Sequence, residues 1–68
     1  MTIEDFSNIK EKLIGNNVSI SLESGVVVSG HWITNQVNSS TGAIRLVLKT
    51  VEGNIVVPLN IINSIKKI

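Results

Sequence analysis

From Val18 to Glu23 the chain alternates strictly: Val18, Ile20 and Leu22 are apolar, and Ser19, Ser21 and Glu23 are polar. A period of two is that of a β-strand with one face buried and the other in water. Ser24-Gly25 breaks the pattern, and a β-branched run, Val26 to Val28, opens a second strand that continues through Gly30 to His31, Trp32 and Ile33. The two strands predict a hairpin. The second is too long to stay flat in a small domain, and Gly30 is the expected bend, because a glycine inside a strand pattern marks a bulge, a sharp turn of direction or a close backbone approach.

On the N-terminal side, Ile3, Phe6, Ile9, Leu13 and Ile14 recur at three- and four-residue spacing, with the stem of Lys10 able to join them, which predicts a short amphipathic helix over residues 3 to about 14. Thr2-x-x-Asp5 approximates a capping box, Glu4 and Asp5 suit the positive end of the helix dipole, and Gly15 suits a left-handed C-cap. A helix this short needs a surface to dock on. On the C-terminal side, the polar run from Asn35 to Gly42 reads as a loop. In Ala43 to Thr50, Ile44, Leu46 and Leu48 take the buried face, and Arg45, Val47 and Lys49 take the wet one. Glu52-Gly53-Asn54 predicts a tight turn, Ile55 to Val57 a strand stopped at Pro58, and the isoleucine-rich tail a final strand. The expected strands are residues 18–23, 26–34, 43–50, 54–57 and 61–66.

Sixty-eight residues leave room for one domain, spanning 1–68. The chain is 43% hydrophobic but 3% aromatic, so its core must be aliphatic around Phe6 and Trp32. With no cysteine, neither a disulfide nor a thiolate metal site can staple it. A core of this size supplies only about 3–5 kcal/mol, which leaves oligomerisation as the remaining source of stability. The net charge of +1 gives no basic field for duplex DNA or a membrane surface. No apolar run approaches bilayer-spanning length and the N-terminal stretch lacks the pattern of a signal peptide, so the expected location is cytoplasmic, with no membrane partner.

Enzyme chemistry finds no footing. The carboxylates Glu4, Asp5, Glu11, Glu23 and Glu52 are scattered over the helix and turns, with no acid–base pair among them. No phosphate-cradling glycine loop occurs, and His31 has no second histidine or cysteine with which to share a metal. Neither catalysis nor a cofactor nor a metal is expected. One helix followed by five short antiparallel strands is most economically a mainly β fold, a strongly bent small barrel with the helix on its open end. An OB barrel usually carries a longer chain and a helix between its third and fourth strands, where this chain has a tight turn. The SH3-like barrel fits better.

The order helix, Val18-x-Ile20-x-Leu22-x-x-Gly25, then Gly30, resembles the first signature block of the Sm-like (LSm/Hfq) family. Val57, Ile62 and Ile65 are similar in spacing to the apolar positions of its second block. The resemblance implies a bent five-stranded barrel that closes into homo-oligomeric rings by pairing the fourth strand of one subunit with the fifth of the next. It also implies binding of single-stranded, often uridine-rich RNA around the pore, in an RNA-processing or RNA-chaperone role. Two departures bear on that. The family's Asp and Asn positions hold Gln36 and Ser40, and its Arg-Gly is replaced by Pro58-Leu59.

Amides remain as candidate readers. Asn and Gln offer a donor and an acceptor together and can read the edges of unpaired bases. Asn35, Gln36 and Asn38 in the polar run, and Asn60 beside Pro58, are therefore the expected RNA-binding residues, although the same run also reads as a plain solvated turn. Trp32 falls where the family has a core leucine and is expected inside, with His31 on the opposite, exposed face. The alternative reading is a structural or protein-binding ring that has lost its RNA site, for which the missing Arg-Gly speaks.

Overall fold

The computed structural model describes residues 1–68. The Thr2 side chain accepts a hydrogen bond from the Asp5 N–H at 3.1 Å and starts helix α1, Ile3–Leu13. The helix ends at Leu13, one residue before the spacing predicts, and Gly15 takes a φ of +84° at the left-handed position expected of it and turns the chain toward the sheet. The strands are β1 (Asn17–Leu22), β2 (Val27–Val37), β3 (Ile44–Thr50), β4 (Gly53–Pro58) and β5 (Ile62–Lys67), with a 3₁₀ turn, Leu59–Ile61, between the last two. All pairings are antiparallel, in the order β4-β3-β2-β1-β5.

That order forces curvature. β4 and β5 are the opposite edges of the sheet, yet only Leu59–Ile61 joins them. Held flat, five strands would place those edges roughly 19 Å apart. Three residues of 3₁₀ turn advance about 6 Å. The sheet therefore curls until its edges approach, giving the helix-plus-bent-sheet architecture that the patterning predicts.

The curl is made in β2. Its first half pairs with β1 and its second with β3, and His31 belongs to both ladders, opposite Asn17 and Lys49. At Gly30 the third strand crosses so closely that an added Cβ would lie 2.9 Å from the Lys49 carbonyl oxygen and 3.2 Å from the Leu48 Cβ. Gly30 is thus a close-approach glycine. A register shift falls between Trp32 and Thr34, leaving Ile33 as an extra residue opposite β3.

The core fills the inside of the curl. Val18, Ile20, Trp32, Leu46, Leu48 and Ile62 are fully buried, and Phe6 brings the helix onto them with its ring centroid 5.9 Å from that of Trp32. Ile9, Leu13 and Ile14 pack against this cluster, and the Lys10 ammonium lies 5.9 Å over the Phe6 ring. Backbone bonds tie the helix exit to the sheet, from the Gly15 N–H to the Trp32 carbonyl and from the Trp32 N–H to the Asn16 carbonyl.

Three expectations need correction. Ile3, placed by its spacing on the docked stripe, is 64% exposed, because the first helical turn overhangs an open groove. Val47, expected on the wet face, is buried there between Thr34 and Val56, its neighbours on the adjoining strands. The strand read as ending near residue 34 runs to Val37, and the connection is only Asn38–Ala43. Polar residues hold a strand when a neighbouring ladder pairs them, and β3 pairs every residue from Thr34 to Val37.

Candidate functional site

Of the expected site residues, Asn35 and Gln36 lie on β2, Asn38 opens the β2–β3 loop and Asn60 sits in the 3₁₀ turn. Their side chains have different fates. Trp32 stands opposite Leu48 and Asn35 opposite Leu46, and both leucines are fully buried, so Trp32 and Asn35 share the inner face although three residues apart. The bulged Ile33 makes this parity change. The indole N–H donates to Asn35 Oδ1 at 2.9 Å and to the Thr34 carbonyl at 3.2 Å. Asn35 is half-buried and commits its carbonyl to the tryptophan, so its acceptor does not face a ligand.

Asn38 is held by its own loop. Its Oδ1 accepts from the N–H groups of Ser40 at 2.9 Å and Thr41 at 3.2 Å, and its backbone bonds to Ala43 and Gly42 close the connection. Gly42 permits this with a φ of +74°. Asn38, expected as an RNA reader, thus spends its Oδ1 on its own loop, because a short amide reaches nearby backbone as readily as it reaches a base, while the residue still lines the surface beside Gln36. Gln36 and Asn60 are exposed, and neither side chain makes a hydrogen bond within the chain.

The free amides border two adjoining depressions. One, about 320 Å³, is lined by Gln36, Val37, Asn38, Ala43 and Arg45. The other, about 570 Å³, runs between the first helical turn, the β2–β3 loop and the 3₁₀ turn, where Ala43, Ile44, Pro58 and Ile61 give apolar walls and Asn60 and Arg45 the polar groups. Arg45 belongs to both. It pairs with Gln36 on one side and Pro58 on the other, and its exposed guanidinium has no salt bridge. Such a site offers an apolar surface for a flat group, amides for its edges and one cationic side chain for an anion, the Met1 ammonium being bound to the Ile62 carbonyl.

No family model, curated protein or solved structure matches this chain. The site is therefore read from its own chemistry. No three His, Asp or Glu side chains gather where they could hold a metal. His31 is exposed at the far end of β3 from Arg45, with its Nδ1 3.1 Å from Asn17 Oδ1 and Lys49 opposite it. No helix is long and apolar enough to cross a membrane.

Arg45 is the residue that sequence reasoning passed over. Its place on the wet face of a strand was legible, since Ile44, Leu46 and Leu48 define the other face. What was missing was register, which sets it beside Gln36 and Pro58. Gln36, Asn38 and Asn60 come to one region of the surface, and Asn35 turns away from it.

Proposed function

We propose that the chain forms a homo-oligomeric ring, β4 of one subunit pairing with β5 of the next, and that the ring binds single-stranded, uridine-rich RNA at the Gln36–Arg45–Asn60 surface. The observation that carries this reading is the pair of open sheet edges, brought near each other by the curl and unpaired within the chain. Open N–H and C=O groups along an edge strand invite another strand, and pairing of one edge with a different edge of a second copy is head-to-tail, the geometry that closes into rings. The resemblance of Val18 to Gly30 to the Sm-like block supports the same assembly. For RNA, the support is chemical: two exposed amides with no partner in the chain and an arginine around an apolar groove, repeated in each subunit so that weak contacts add.

A second reading, a structural or protein-binding ring, draws on Asn35 and Asn38. Both bind within the chain, and no aromatic side chain lines the groove to stack a base. Sedimentation of the wild type at micromolar concentration, followed by titration with labelled oligouridine, separates the readings. A ring that binds oligouridine at low salt supports the first, and a ring that binds none supports the second. A monomer sinks both.

A further inference from the structure

Resting on the RNA-binding reading of this surface, we infer that Arg45 is its phosphate contact, gripping the phosphodiester backbone between a nucleotide read by Gln36 and one read by Asn60. Three observations carry it. Arg45 lines both depressions, and a free amide stands in each: Gln36 in the smaller and Asn60 in the larger. It holds the middle place of the cross-strand row Gln36, Arg45, Pro58, so a strand of nucleic acid passing from one amide to the other crosses the arginine. Its guanidinium is exposed and unpaired, and no carboxylate lines either depression to compete for it.

The chemistry selects phosphate. A guanidinium presents a planar fork of N–H donors that matches two phosphate oxygens at once, and it stays charged at any working pH. The flanking amides read base edges and carry no charge, and the Met1 ammonium at the larger depression is bound to the Ile62 carbonyl, so among the side chains lining this surface Arg45 supplies the electrostatic part of binding. Arg45 also stands opposite Pro58 on the neighbouring strand, which brings its charge to the corner where Asn60 sits.

The test is the salt dependence of hexauridine binding by the intact oligomer, measured for wild type, Arg45→Gln, Arg45→Lys and Gln36→Ala. Arg45→Gln should lower affinity about five- to tenfold near 0.1 M salt and flatten the log–log salt slope by about 0.7 for each subunit engaged. Arg45→Lys should keep the slope with weaker binding, since the charge remains and the fork is lost. Gln36→Ala should weaken binding with the slope unchanged. Circular dichroism and sedimentation equal to wild type show that the exposed substitutions leave fold and assembly intact. A wild type that binds hexauridine with the same slope as Arg45→Gln overturns the phosphate role and leaves the proposed function standing. A wild type that binds no hexauridine overturns both, and capture of a polyglutamate peptide in an Arg45-dependent way would assign the arginine to an acidic protein partner instead.

Discussion

The centre around Trp32 and the corner around Pro58 belong to one curled sheet, and both contain amides beside apolar side chains, but they treat polar groups oppositely. At the centre, the indole N–H is answered by Asn35 and the Thr34 carbonyl, and no buried side-chain polar atom in the chain lacks a partner. At the corner, Gln36, Asn60 and Arg45 are left open beside an apolar groove. The difference follows from solvent. A polar group buried without a partner costs about 1–3 kcal/mol, whereas one at the surface is kept satisfied by water until a ligand replaces it. Groups of the first kind hold the fold, and groups of the second kind are available for recognition.

The sharpest way to break the contrast is at its centre. Trp32→Ala removes the largest fully buried side chain and should cost about 3–5 kcal/mol, comparable to the whole stability of a domain this small. Urea denaturation followed by far-ultraviolet circular dichroism measures it, and a red, freely quenched emission from the native wild type would contradict the burial. Gly30→Ala comes next. Its Cβ meets backbone oxygen at 2.9 Å, which cannot swing aside, so the two halves of the curl must separate at a cost of about 1–3 kcal/mol. Loss of stability should appear as a lower urea midpoint with the slope retained.

Two neighbouring amides then sharpen the comparison. Asn35→Ala deletes the shorter of the two bonds to the indole and should destabilise by about 1 kcal/mol, the Thr34 carbonyl limiting the damage. Gln36→Ala, one residue away, should change stability by less than about 0.5 kcal/mol. On the RNA-binding proposal it instead weakens oligouridine binding by about 1 kcal/mol per site engaged. Equal stability losses for the two variants would show that the division between centre and corner is wrong.

Much of the chain was legible because its cues are local. Thr2 and Gly15 mark the helix through capping chemistry, the alternation from Val18 to Leu22 marks a half-buried strand, and Pro58 marks a strand end because it lacks an N–H. Gly30 was readable as a special position in a long strand, expected as its bend, but the close approach of β3 that demands a glycine there was not. The candidate site was legible only in part. Polar composition pointed to residues that border the depressions around Arg45, but it hid the continuation of β2 to Val37 and the inward turn of Asn35.

What the sequence determined by itself is the helix, the approximate places of the five strands and the inner face of β1, since propensity, capping and period act within a few residues. What only the tertiary structure decided is which polar groups are free. Unbroken alternation from Trp32 would carry Thr34 and Gln36 to the inner face and leave Asn35 outside. The bulge at Ile33 reverses that parity, sending Asn35 to the indole and Gln36 to the surface beside Arg45. A bulge is a mismatch between two paired strands, so it exists only once β3 lies against β2, and no pattern along either strand alone encodes it.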